Sequence, residues 1–154
     1  MHASLPLIKK DPKNLQGYLL GAVYDPENLI WRKFHLFFAA DISHWWVNTS
    51  YNHSTTVFAL TPIVRYIFNQ HYSISPYFEF SVGPAYLSKT HLDDRNFGEH
   101  FTFQDRVGIG VLVGQAQKLS IGFYGLHYSN GSFSSHNSGI TVPLMLDIGY
   151  RFTG

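Results

Sequence analysis

Phe101-Thr102-Phe103-Gln104-Asp105-Arg106-Val107-Gly108-Ile109-Gly110-Val111-Leu112-Val113 alternates residue by residue. Side chains two apart in a strand share a face. One face therefore gathers Phe101, Phe103, Val107, Ile109, Val111 and Val113, and the other carries Thr102, Gln104, Arg106, Gly108 and Gly110. The same period recurs over 16–24, 31–43, 55–69, 72–88, 119–130 and 141–152, with a weaker segment at 3–10, while helical periodicity is almost absent. Several of these runs exceed the roughly five or six residues of ordinary globular strands and match the roughly 9–11 needed to cross a bilayer at a tilt.

The connections support that reading. Gln70-His71 and the stretch 115–118 are tight, whereas 44–54, 89–99 and 131–140 are longer and rich in His, Asn, Ser, Asp and Gly. Only 25–30, a middling turn on the short side, departs from the pattern. Short turns at one end and long polar loops at the other predict an all-β fold: an eight-stranded antiparallel transmembrane β-barrel of the bacterial outer membrane. It would span 1–154 as one domain, with 1–15 irregular or a weak first strand. Aromatics close the last strand at Tyr150 and Phe152, as an interface girdle requires. Alternation does not say which face is outward. A soluble eight-stranded barrel of the lipocalin kind would turn the apolar face in and carry a ligand.

Composition narrows the classes. Charged residues make up 14% of the 154, against about 25% in soluble domains. A formal charge of +1 with no basic cluster argues against nucleic acid as a partner. The absence of cysteine excludes disulfides and thiolate metal sites. No apolar run approaches the roughly 18 residues of a membrane helix. No signal peptide precedes the first segment, so an outer-membrane location requires a mature form with an added Met.

Chemistry concentrates at the end of one strand. His127 and Ser129 stand two apart, a base beside a hydroxyl, in phase with Gly125, Phe123, Ile121 and Leu119. A barrel of this class begins and ends in the periplasm, so 119–130 runs outward. The pair then belongs on the lipid-facing wall near the outer leaflet, where a polar group is expensive unless function requires it. Asn130 and Gly131 follow at once, and their backbone N–H groups or the Asn130 amide are the nearest donors for an oxyanion. His-x-Ser alone is a weak motif that usually means only a strand-end pair satisfied by loop backbone.

Three blocks give it a context: 103–110 (FQDRVGIG), 126–131 (LHYSNG) and 137–140 (NSGI). In order and spacing they resemble the PagL-type lipid A 3-O-deacylases. Weaker similarity runs through 60–66 and 76–84, so the resemblance covers most of the chain from about residue 16. It implies an eight-stranded outer-membrane barrel that removes the ester-linked acyl chain at position 3 of lipid A. It also implies a Ser-His-Glu triad with no metal and no cofactor. Carried over by position, Ser129 is the nucleophile, His127 the base, and Asn130 and Gly131 lie where the family forms its oxyanion hole. Lipid A or lipopolysaccharide is then the substrate. The exterior wall leaves room for a homodimer, which no residue demands.

One departure stands out. The family's acid comes at or near Ile140 and Thr141, and no carboxylate is found there. Thr141 can accept a hydrogen bond from an imidazole but offers no negative charge. Losing the acid costs a serine protease about 10⁴ in kcat. The alternative function is accordingly a degraded barrel that binds lipopolysaccharide without turning it over. A substitute acid can also be named. If 115–118 close a hairpin with Val113 opposite Leu119, Asp105 falls opposite His127 on the shared face and orients it. Otherwise Asp105 pairs with a basic neighbour such as Arg106.

Other residues read more plainly. The nine histidines show no tight ligand spacing, and His91-Leu92-Asp93-Asp94-Arg95-Asn96 is a solvated loop before it is a cation site. Trp31, Trp45, Trp46, Tyr51 and His44 read as anchors of an aromatic belt. Lys33, Arg65, Arg95 and Arg106 are candidates for lipid phosphates, although Arg106 is in phase with the barrel interior, where an internal polar network suits it better.

Overall fold

A computed structural model describes residues 1–8, 12–68, 73–136 and 138–152. The strands are β1 (His2–Ile8), β2 (Gln16–Tyr24), β3 (Ile30–Trp31), β4 (Phe34–Trp46), β5 (Ser54–Ile67), β6 (Ile74–Leu87), β7 (His91–Leu92), β8 (Arg95–Asn96), β9 (Phe101–Val113), β10 (Leu119–Ser129) and β11 (Ile140–Tyr150). The long strands follow the order β2-β1-β11-β10-β9-β6-β5-β4, and β2 pairs with β4 to close the cylinder. The fold is an eight-stranded antiparallel barrel. Closure matters because lipid offers no partner to an unpaired strand edge.

Burial settles which face is outward. Leu20, Phe38, Ile42, Phe58, Leu60, Phe78, Phe80, Val107, Ile109, Phe123 and Ile148 are exposed, whereas Asp41, Glu79, Ser81, Gln104, Arg106 and Asp147 are buried inside. A lipocalin has the opposite arrangement, so the soluble-carrier reading falls.

The interior charges answer one another. His2 bridges Asp147 at 2.8 Å and Asp41 at 3.0 Å, and Ser4 donates to Asp147. Asp41 also accepts from Gln104 Nε2 at 2.8 Å. Glu79 takes Arg65 at 2.7 Å on one side and Arg106 at 3.2 Å on the other. Buried charges of this kind persist only when paired and hydrogen-bonded. Arg65 and Arg106 are therefore interior residues and do not face lipid phosphates. Above this belt an apolar plug of Leu19, Trp45, Leu87, Phe97, Leu126, Tyr128 and Ile140 seals the loop end. Tyr128 ties plug to belt, its hydroxyl 2.9 Å from Ser43 and 2.8 Å from Gln104.

The weak segment at the start supplies the eighth strand, since β1 pairs with both β2 and β11. Two expectations change. The strand expected to start at residue 31 instead begins with a hairpin. Ile30 pairs with His35 and Trp31 with Phe34, around Arg32 and Lys33, and β4 then runs on to Trp46. Trp45, expected in the aromatic belt, is fully buried and donates to Ser43 at 2.9 Å. It shares the phase of Asp41 and Ser43, which face inward. The Gln70-His71 turn and Asn137 lie outside the described residues.

Candidate active site

His127 and Ser129 occupy the outward face of β10, in phase with exposed Phe123. Leu119 pairs with Val113, and that register sets His127 directly opposite Asp105 on β9. On the other side His127 pairs with Thr141 of β11, and its Nδ1 is 2.8 Å from Thr141 Oγ1.

Thr141 reaches this face through a β-bulge. Between Tyr124 and Leu126 the β10–β11 register shifts by one: Tyr124 pairs with Met145, but Leu126 with Val142. Pro143 and Leu144 thus oppose Gly125 alone. Below the bulge Met145 and Asp147 point inward; above it Ile140 and Val142 do, and Thr141 turns out beside His127. Bulges re-aim side chains in this way, and a proline inside a strand is one of their few sequence marks. That mark, Pro143, is the signal the sequence reading passed over.

A loop completes the other side of the imidazole. Gly139 has φ 61°, and a Cβ there would meet His127 Cε1 at 3.1 Å and Nε2 at 3.7 Å. Glycine alone combines that backbone angle with so close an approach. Among the described residues, neither His127 Nε2 nor Ser129 Oγ is engaged in a hydrogen bond.

Asn130 behaves differently from the sequence expectation. It is fully buried, and its Nδ2 donates to the carbonyls of Phe97 and His136, both at 2.7 Å. Its Oδ1 accepts from the Ser132 N–H at 3.0 Å. The amide is a clamp that joins Phe97 to the segment around Ser132 and His136, so its side chain is occupied by loop backbone. Arg95 and Asn96 add to the lacing, Arg95 Nη1 donating to Ser138 O at 3.3 Å and Ser138 N to Asn96 O at 3.1 Å. At Gly131, where φ is 63°, a Cβ would meet the Phe103 ring at 3.2 Å, and Phe103 lies against Phe101 and Phe133 at ring distances of 5.1 and 5.9 Å. Phe133 lies in a loop with no periodicity, so alternation did not find it.

Beside His127, a groove of about 510 Å³ opens on the outer wall, lined by Phe80, Val82, Val107, Gly125 and Pro143 together with Asp105, His127 and Thr141. Asp105 makes no hydrogen bond or ion pair among the described residues. Arg106, its suggested neighbour, points inward to Glu79. His91 and Asn96 pair in the β7–β8 hairpin, and Asp94 lies 3.3 Å from Arg95. No group of three His, Cys, Asp or Glu among the described residues could hold a metal. Lys33 sits at the far end of the barrel, donating to Phe68 O at 3.1 Å.

An inside-out barrel with a serine–histidine pair on its lipid-facing wall defines an outer-membrane β-barrel with a candidate hydrolytic site. The chain belongs to the lipid A 3-O-deacylase (PagL) family, whose model matches residues 16–151. It is 38% identical over 68 residues to the lipid A deacylase PagL of Pseudomonas aeruginosa, covering 44% of this chain and 38% of that protein. To the Bordetella bronchiseptica lipid A deacylase PagL it is 26% identical over 112 residues, 71% of this chain and 58% of the other. The chain thus matches less than two thirds of the length of either relative. The crystal structure described as the outer membrane enzyme PagL superposes with a TM-score of 0.83 at 24% identity over 98% of both chains, which speaks for the fold.

Proposed function

We propose that this protein hydrolyses the 3-O-linked acyl ester of lipid A at the outer leaflet, with Ser129 as nucleophile and His127 as base. The observation that carries the reading is the pair's position. Both residues stand on the outward face of β10 at its loop end, and His127 lines an apolar groove on that wall.

The proposed steps are those of a serine esterase. His127 Nε2 takes the Ser129 hydroxyl proton as Oγ attacks the ester carbonyl. Backbone N–H groups at Asn130 and Gly131 receive the oxyanion. Collapse breaks the bond to the sugar oxygen, which leaves with the proton held on His127. Water, deprotonated by the same imidazole, then cleaves acyl-Ser129 to free fatty acid. Thr141 holds Nδ1 and keeps the ring's other nitrogen turned to the serine. Asp105, opposite in register and without a partner, supplies the negative charge that Thr141 lacks when the imidazolium forms.

A second reading has its own observation. The neutral Thr141 in the acid's place favours a barrel that binds lipopolysaccharide without cleaving it. Mass spectrometry of lipid A after incubation with the detergent-purified protein separates the two. Loss of one 3-hydroxyacyl chain with the parent and none with Ser129→Ala is expected. Unchanged lipid A with a folded parent would overturn the hydrolase. Equal losses with parent and variant would overturn Ser129. Asp105→Asn should cost roughly tenfold in rate, from the loss of one charge interaction near a developing cation; an unchanged rate would remove Asp105 from the site.

A further inference from the structure

At the end of the barrel opposite Ser129, the β3–β4 hairpin presents an aromatic ladder capped by cations. Trp31 stacks on Phe34 at 5.9 Å and 20°, Phe34 meets Tyr66 at 4.9 Å, and Tyr66 meets Phe68 at 4.9 Å. The rungs continue the lipid-facing wall across three strands. Arg32 lies over the ladder's first ring, its Cζ 5.1 Å from the Trp31 centroid. Lys33 completes the reversal.

The hairpin is apolar where water would be expected. Leu29, Ile30 and Phe34 are exposed, and Trp31 is 66% exposed. Together with Leu36 and Val64 they line a groove of about 330 Å³. An apolar patch of this kind marks a surface meant to be covered. Its continuity with the barrel wall indicates lipid as the cover, with Trp and Tyr at the level of the headgroups.

Charge then selects the lipid. Arg32 and Lys33 stand at the tip, both exposed. In the adjoining turn Asp25 is engaged by Arg151 at 3.8 Å, which leaves Glu27 as the exposed acid nearby. A guanidinium beside an ammonium suits a phosphodiester oxygen pair. We infer that the β3–β4 hairpin binds the headgroup of an anionic glycerophospholipid in the leaflet opposite the candidate active site. The inference rests on the barrel's membrane orientation and not on catalysis at Ser129.

Tryptophan quenching tests it. A Trp46→Phe form retains Trp31 and the fully buried Trp45. It is reconstituted into vesicles holding brominated phosphatidylglycerol or, separately, brominated phosphatidylcholine in an otherwise identical phosphatidylcholine bilayer. Stronger quenching by the phosphatidylglycerol is expected, reflecting roughly fivefold local enrichment for each basic residue at the surface. The preference should vanish in Arg32→Asn with Lys33→Gln, substitutions on an exposed turn where φ is 59° and Asn is tolerated. Equal quenching by both lipids would overturn headgroup recognition. A preference that survives the double substitution would overturn the role of Arg32 and Lys33. No quenching by either lipid would place the hairpin in water and overturn the whole inference. Lipid A hydrolysis should be unchanged in the double variant, so failure here and failure of the hydrolase reading are told apart.

Discussion

His127 Nδ1 lies 2.8 Å from Thr141 Oγ1 across the β10–β11 pair, so a neutral hydroxyl orients the imidazole where the family resemblance calls for a carboxylate. A hydroxyl fixes the ring and its tautomer but does not balance an imidazolium. For the proposed hydrolysis the arrangement predicts a slow rate.

That relationship is open to direct manipulation. Thr141→Val should lower kcat about tenfold, the worth of one hydrogen bond of roughly 1–1.5 kcal/mol. Thr141→Glu should raise kcat above the parent by an order of magnitude or more, toward the rate an anion partner supports. Release of 3-hydroxy fatty acid from lipid A in mixed micelles is the readout. An unchanged rate in both variants would mean that Thr141 does not govern His127.

Gly139 is predicted to be intolerant of even one added carbon. Its φ of 61° and the 3.1 Å approach to His127 Cε1 make Gly139→Ala both strained and obstructive. We expect about 1–2 kcal/mol of lost stability and a larger proportional loss of activity, because the Cβ displaces the ring that takes the Ser129 proton. Comparing thermal unfolding in detergent with the hydrolysis rate distinguishes the two effects.

Asn130→Ala should release the loops that frame the site. The change leaves the carbonyls of Phe97 and His136 without their donor, at about 1–3 kcal/mol for each buried group left unpaired. Limited proteolysis should then cut within 131–136 while the barrel itself resists. A loop as protected as in the parent would show that Arg95 and Asn96 suffice to hold it.

Glu79→Ala should be the most damaging of these changes to the barrel. It strips Arg65 and Arg106 of their shared carboxylate, leaving Arg65 without its ion-pair partner and Arg106 with only Asp41 at 3.9 Å, at about 3–5 kcal/mol. The urea midpoint for unfolding from lipid vesicles should fall accordingly. Glu79→Gln should recover part of the loss by keeping hydrogen-bond acceptance.

The barrel was legible because period-two alternation is a local property that every strand must satisfy. So was the Asp105–His127 register, since a tight 115–118 connection leaves little freedom in how β9 meets β10. Trp45 was legible in principle too: its phase with Asp41 and Ser43 sends it inward, and reading it as a belt residue set aside the alternation that had defined the strand.

Other features depend on contacts between segments far apart in the chain. Counting back from inward-facing Asp147 in steps of two puts Thr141 inside the barrel; only the extra residue at Pro143–Leu144 turns it out to His127. Asn130 could be named as a site residue, but the carbonyls that occupy its amide come from Phe97 and His136. The sequence by itself determined an eight-stranded barrel with a serine and a histidine on one face of one strand, because side-chain alternation follows from backbone geometry alone. The tertiary structure decided which way that face points, what holds that histidine and what occupies the Asn130 amide, because a bulge and a loop clamp exist only where distant strands and loops meet.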